Sequence, residues 1–268
     1  MSTRKRWLLA VSVLAALALL AGAAVGVWRW QAGRDPKVDA ALPDMDRALA
    51  DVLAAAGDEP AVAVNGLVRA ATCPLGVLRT GGRYSRTVEL YVAGGDEDTL
   101  IGRIAQRLPA AYQAHRDTVT SGSAPPLTAD LAGGVRVSVR QLGVGWLVAD
   151  AATDCVAGPA TTADSAPPPG DPAVPAITTL LDSLGTAPAT LTTATLDCPA
   201  GQIRTVAAIS RSTDSGRLAD RLTVPAGART YLAAGSNRVA YRDDTASIIV
   251  AASDDGNAIT VRRTTPCQ

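Results

Sequence analysis

The sequence predicts an α+β protein: an N-terminal transmembrane helix followed by two tandem related modules, each made of helices packed on an antiparallel sheet. Three observations predict it. An eight-residue pattern occurs twice, as Cys73-Pro-Leu-Gly-Val-Leu-Arg-Thr80 and Cys198-Pro-Ala-Gly-Gln-Ile-Arg-Thr205. A second match follows each copy, Gly102-Arg-Ile-Ala-Gln-Arg-Leu108 and Gly216-Arg-Leu-Ala-Asp-Arg-Leu222, and each half runs on to a last cysteine, Cys155 or Cys267. Ordered matches with matched cysteines mark a tandem duplication. The third observation is the uncharged run 7–28, rich in Leu, Ala and Val, since about 20 apolar residues span a bilayer core.

Taken in order, residues 1–6 carry Arg4, Lys5 and Arg6 and are expected on the cytoplasmic side. The helix 7–28 is bordered by Trp7 at one end and by Trp28 and Trp30 at the other, where aromatic side chains favour the water interface. The competing expectation is a cleaved secretory signal, with Ala21-Gly22-Ala23 as a small-residue cleavage site. Residues 29–42 form a juxtamembrane spacer. Module 1 is expected over 43–155, a Pro, Ala and Thr-rich linker over 156–172, and module 2 over 173–268.

Within module 1 the spacing of Met45, Leu49, Val52 and Leu53 predicts a helix over 44–56, with Pro43 before it and Gly57 as its stop. Module 2 repeats this over 174–184, with Ile177, Leu180, Leu181 and Leu184 as the apolar stripe and Gly185 as the stop. Strands are predicted at 62–72 and 189–197, on the near side of each Cys-Pro-x-Gly turn, and at 87–92 and 205–210 on the far side. The first hairpin is expected to be longer through Gly81, Gly82, Arg83 and Tyr84. The second match predicts a helix in each half, with Asp96 or Asp98, and Ser212 or Asp214, as N-caps. Strand pairs close the halves at 135–141 with 144–149 and at 247–252 with 258–263, and module 2 is expected to carry an extra strand near 239–242.

Composition narrows the function classes. The 25 basic and 25 acidic residues balance, but four of the bases, Arg4, Lys5, Arg6 and Arg29, lie at the start, so the remainder is net acidic. A nucleic-acid binder needs a basic stripe, so no nucleic-acid partner is expected. The chain has no Phe, so its cores must rest on Val, Leu, Ile and Ala, which bury less area each. Only two of the bases are lysines, a usage that points to GC-rich bacterial coding. All four cysteines follow the apolar run, and an even set at equivalent places reads as a disulfide framework of an oxidising compartment. The expected pairs are Cys73 with Cys155 and Cys198 with Cys267. With the charges flanking helix 7–28 nearly tied, this framework sets the orientation: N-terminus inside, modules outside the cell membrane, or secreted if the segment is cleaved.

No catalytic or cofactor constellation emerges. The lone His115 excludes any two-histidine metal motif, the cysteines lack C-x-x-C spacing, and no phosphate-binding glycine loop is present. Asp96, Glu97 and Asp98, and Asp254 with Asp255, lack the spacing of a calcium loop and read as a helix start and a hairpin turn. No metal, cofactor or catalytic residue is therefore assigned. The repeated Arg79 and Arg204, with the helical pairs Arg103 and Arg107, and Arg217 and Arg221, remain as candidate anion contacts, because a guanidinium forks onto carboxylate or phosphate. The stronger expectation is a role in the fold, with Arg79 and Arg204 each making the same contacts to a carboxylate or carbonyl of its own module. The reading is a single-pass membrane-anchored extracytoplasmic protein, a binding or scaffolding module of the bacterial envelope whose partners are the lipid bilayer and an envelope protein or ligand. A sensory ectodomain working through a membrane partner, and an envelope enzyme, are the alternatives.

Overall fold

The computed structural model of the 268-residue chain describes residues 35–76, 79–117, 124–131, 133–158, 165–211, 218–232 and 237–267. The apolar run 7–28 lies outside the described residues, as do residues 159–164 of the linker, and among the described residues no helix is long and apolar enough to cross a membrane. Residues Val38–Gln268 form one compact unit.

Two six-stranded antiparallel sheets with the same strand order build this unit. The first comprises β1 (Ala61–Gly76), β2 (Arg79–Tyr91), β3 (His115–Arg116), β4 (Leu127–Leu131), β5 (Val135–Gly143) and β6 (Trp146–Thr153), ordered β1-β2-β6-β5-β4-β3. The second comprises β7 (Pro188–Cys198), β8 (Gly201–Ser210), β9 (Arg229–Leu232), β10 (Arg238–Arg242), β11 (Ser247–Ala252) and β12 (Ile259–Thr265), ordered β7-β8-β12-β11-β10-β9. Helices α1 (Val38–Ala56) and α2 (Glu97–Arg107) accompany the first sheet, and α3 (Ala173–Ser183) and α4 (Leu218–Arg221) the second. The overall class is α+β, and the identical order supports the duplication. The strand expected as an addition to module 2 is β10, which has a full counterpart in β4. Sequence reading missed β4 because its five residues stand beside a Ser, Gly and Pro-rich loop, and missed β3 and β9 because they are two and four residues long.

Helix α1 begins at Val38, six residues before the expected start, with Pro43 inside it. Proline lacks the N–H that would bond the carbonyl four residues back. The helix nonetheless extends because Val38 and Ala41 are buried and continue the stripe of Met45, Leu49 and Val52. Ten of its 19 residues are buried, more than one apolar stripe accounts for. The reason is a second partner: the core around α1 takes in Ala194, Leu196 and Ile203 of β7 and β8, and Cys198 and Cys267 pack against it. Helix α3 has no such second layer and buries three of its 11 residues.

The repeated cysteine motif does not fold alike in the two modules. Cys198 pairs across the strands with Gly201, so only Pro199 and Ala200 make the turn. Cys73 pairs with Gly81, and the seven residues 74–80 extend the hairpin beyond it. Gly81, not the motif glycine Gly76, is therefore the counterpart of Gly201. A Cβ at Gly81 would stand 2.5 Å from the Val156 carbonyl oxygen, a closeness only glycine permits. Past the turn the two halves are offset by 120 residues, not the 125 of the motif, and Arg204 corresponds to Tyr84. The extra length of the first hairpin thus resides in 74–80, while Gly81 to Tyr84 belong to β2.

Both disulfides form within their own halves: Cys73 bonds Cys155 and Cys198 bonds Cys267. They tie each first hairpin to the end of its last strand. Bridges of this kind persist in oxidising compartments, which places this unit outside the cytosol.

Candidate functional site

The seam between the sheets is the most charged interior place. Glu89 on β2, 8% exposed, accepts hydrogen bonds from Arg262 Nη1, Tyr91 Oη, Arg238 Nη1 at 3.3 Å and Asn65 Nδ2 at 3.3 Å. Burial pushes the Glu89 carboxyl up, but Arg262, the Tyr91 hydroxyl, Arg238 and Asn65 outweigh it and hold the pKa below the ordinary glutamate value. Arg238 also lies 3.8 Å from the centre of the Trp146 ring, which stacks in turn on Tyr91. Every charge here is answered inside the protein, so the cluster fastens β2 and β6 to β10 and β12. Nearby, the Val64 N–H donates to Thr205 Oγ1 at 2.9 Å, and Arg86 bridges Asp46 of α1 to the Thr195 carbonyl.

The sequence-predicted arginines separate into distinct roles. Arg204 points to the helix side and stands 3.3 Å from Asp171 Oδ2, whose Oδ1 accepts the Ala173 N–H at the start of α3. That ion pair is misaligned for a hydrogen bond, leaving Oδ2 buried without one among the described residues. Arg79 stands instead at the hairpin tip opposite Gly76, with its guanidinium over that glycine. The two residues, aligned in sequence, do not share a place in the fold and are not brought together.

The helical arginines do share one. Arg107 Nη1 donates to the Ala55 carbonyl and Arg103 Nη1 to the Ala56 carbonyl and to Glu59, while Arg221 donates to the Leu184 carbonyl. Each module thus lays a motif arginine on the C-terminal carbonyls of its first helix, where cationic side chains satisfy bare acceptors and the helix dipole. Arg217 lies outside the described residues. His115 is exposed on β3, beside Thr128. Asp96 occupies the N-cap of α2 but makes no capping bond; Glu97 is buried and accepts the Gly95 and Gly145 N–H groups, while Asp98 pairs with Arg116. Asp255 accepts Ser253 Oγ and the Asn257 N–H within the β11–β12 turn.

A pocket of about 490 Å³ opens in module 2 between α3, α4 and the helix-facing side of the sheet. Ile177, Leu180, Ile248 and Val261 supply its apolar wall, and Thr179, Arg221, Tyr241, Asp243 and Arg263 its polar groups. Tracing the shared strand registers shows how it arises. Module 1 fills the matching place with Tyr112, which is buried beneath α1 and donates its hydroxyl to Asp51. The Ala228 N–H bonds the Pro225 carbonyl as the Tyr112 N–H bonds the Pro109 carbonyl, so the residue in place of Tyr112 is Ala228, which packs against the module 2 core; counted from the stop glycines, Asp51 becomes Thr179. On the sheet, Ala129 becomes Tyr241 and the fully buried Ala151 becomes Arg263.

Tyr241 is 5% exposed, and its hydroxyl makes no hydrogen bond among the described residues; burial raises its pKa. Arg263 makes no ion pair among them and only a 3.5 Å contact to Thr245 Oγ1. Asp243 Oδ1 accepts the Thr245 N–H, the Thr245 hydroxyl and the Ala246 N–H; burial pushes its pKa up, but these bonds and the Arg263 charge outweigh it and hold the pKa low. Sequence reading did not find these residues. The signal was a mismatch between the repeats, small apolar against large polar at core-facing positions, legible only once the register is known.

No protein family, curated protein or solved structure matches the chain. The functional reading rests on this geometry.

Proposed function

We propose that the chain is a single-pass membrane-anchored protein of the bacterial envelope whose extracytoplasmic unit binds a small ligand in the module 2 pocket. One observation carries this: a place closed by Tyr112 and Asp51 in module 1 is open in module 2 and lined by Tyr241 and Arg263. Ligand sites are concave, largely apolar and furnished with a few polar groups, and 490 Å³ is within their usual size. A core that needed only to fold would have kept a plug. Module 1, with its two-sided helix α1, supplies the rigid body to which module 2 is fastened at Glu89. The apolar run 7–28 supports the anchor, and the disulfides support the compartment.

The test is a small-molecule library read by ligand-observed NMR on the full-length protein and on a variant that rebuilds the plug, Ala228→Tyr with Thr179→Asp. Compounds that bind the natural chain and are lost in the plugged variant support the pocket. If every hit survives plugging, the pocket is not the site.

A further inference from the structure

The pocket's polar groups also restrict the class of ligand, an inference that rests on the binding reading above. We infer that the module 2 pocket takes an amphipathic monocarboxylate, with its carboxylate at Arg263 and Tyr241 and its apolar body against Ile177, Leu180, Ile248 and Val261.

The argument begins with which charges are committed. Arg221 is committed to the Leu184 carbonyl at the end of α3, a role Arg107 repeats in module 1. Asp243 is committed to the turn at Thr245 and Ala246. Arg263 has no carboxylate within ion-pair distance among the described residues, and the Tyr241 hydroxyl has no hydrogen-bond partner among them. Arg263 on β12 and Tyr241 on β10 lie in one row of one sheet face with Ile248 of β11 between them, and a carboxylate seated over Ile248 would accept from both the guanidinium and the phenol.

Two guanidiniums and one carboxylate line the pocket, so its net charge is that of one cation. A single negative charge matches it. A dianionic phosphate would set its second charge against Asp243, and an ammonium would meet the two like charges of Arg263 and Arg221. The remaining wall is aliphatic, which selects an apolar body over a sugar or a polar amino acid. The closed counterpart sharpens the assignment: Ala151, which Arg263 replaces, is fully buried in the core of module 1, where a guanidinium would have no use. Arg263 is half-buried and its charge acts on Asp243 and Tyr241, so the face that is aliphatic in module 1 is polar here.

Three probes of one shape separate the parts of the proposal: 4-phenylbutanoate, 4-phenylbutan-1-ol and 4-phenylbutylamine. Each is titrated by saturation-transfer NMR against the full-length protein held in lipid nanodiscs, with empty nanodiscs subtracted. The carboxylate is expected to bind at least about tenfold tighter than the alcohol, the worth of a charge-assisted hydrogen bond, with the amine weakest. Arg263→Met is expected to erase the preference for carboxylate over alcohol, and Tyr241→Phe to weaken the carboxylate alone. The plugged variant Ala228→Tyr with Thr179→Asp is expected to lose all three; near-UV circular dichroism checks that it is folded. An amine that binds as well as the carboxylate, or a preference that survives Arg263→Met, overturns the anionic class. If alcohol and carboxylate bind equally and both are lost on plugging, the pocket stands and only the class falls. If no probe binds, or binding survives plugging, this ligand class is overturned, and the library screen decides the pocket separately.

Discussion

Removing the charge of Glu89 is the most direct test of how the two modules hold together. Glu89→Gln keeps the shape of the side chain but turns one of the two oxygens that accept from Tyr91 and Asn65 into a donor, and strips Arg238 and Arg262 of their shared counter-ion. Breaking a fully buried pair costs about 3–5 kcal/mol, because an uncompensated charge is left behind. Both guanidinium side chains are 26% exposed, and Arg238 keeps its contact with the Trp146 ring, so water and that ring recover part of the loss. The expected cost is about 2–3 kcal/mol, or roughly 5–10 °C in Tm for a unit of this size. Urea and thermal unfolding with the disulfides intact measure it, followed by tryptophan fluorescence, since Trp146 lies in the cluster. One transition moving as a whole is the expected form, because Glu89 joins β2 to β10 and β12. The triple change Glu89→Leu, Arg238→Met and Arg262→Met is expected to recover most of the loss, as apolar replacement of a buried ion network often does. A cost under about 1 kcal/mol, or two separate transitions with only one displaced, would refute the view that this cluster welds the modules.

Replacing Cys73 and Cys155 together by Ser is expected to cost up to about 4–5 kcal/mol from the chain-entropy effect of a closed loop of 82 residue steps, and the Cys198 and Cys267 pair, with 69, nearly as much; denaturant midpoints of the two double variants decide it. Arg221→Ala is expected to lower stability by about 1 kcal/mol and Arg107→Ala by less, because Arg103 still caps α1; equal losses in thermal scans would contradict that sharing. Acid should loosen the seam. The pKa of Glu89 is depressed on folding, so its stabilisation is complete above the ordinary value of 4.5 and is lost as the pH falls through the lower folded value, with Asp243 acting in the same direction. Asp46, whose pKa burial raises against Arg86, works the opposite way, so Glu89→Gln should flatten the acid limb of stability against pH, and an unchanged limb counts against the assignment. For the anchor, N-terminal sequencing of protein from the membrane fraction should find the chain intact, and a mature start near Ala24 would make it a secreted protein.

The elements that sequence reading located are those whose signal is local. The stripe Ile177, Leu181 and Leu184 gave α3 to within a residue or two, and the alternation along 135–141 gave β5, because burial on one face leaves a period in the residues that face it. The disulfide pairing followed from equivalence of position. What failed was non-local. Pro43 marks a helix start in isolation, yet α1 runs through it because Val38 and Ala41 find a core supplied by both modules. Two-residue and four-residue strands such as β3 and β9 carry no period at all. Glu97, read as part of a helix start, turns inward to two backbone N–H groups that only the folded chain brings near it.

The instructive case is the repeated cysteine motif, where likeness of residues and likeness of place part company. Cys73 and Cys198 are equivalent, since each stands opposite a glycine, Gly81 or Gly201, and each bonds the cysteine after the last strand. Beyond them the five-residue excess of the first hairpin displaces everything, so that the matched Arg79 and Arg204 have different surroundings while Arg107 and Arg221, without sharing a cysteine motif, have the same one. A contact that recurs in both modules, as the arginine on the helix end does, is a requirement of the fold. A place where register is kept but chemistry is not, as at Ala151 against Arg263 and Tyr112 against Ala228, is released from that requirement. Stability alone would favour a filled core in both halves, because an unfilled space forfeits the contacts of its lining. The module that leaves its space open, and sets a charge and a phenol beside it, is therefore the half whose core the proposed ligand would complete.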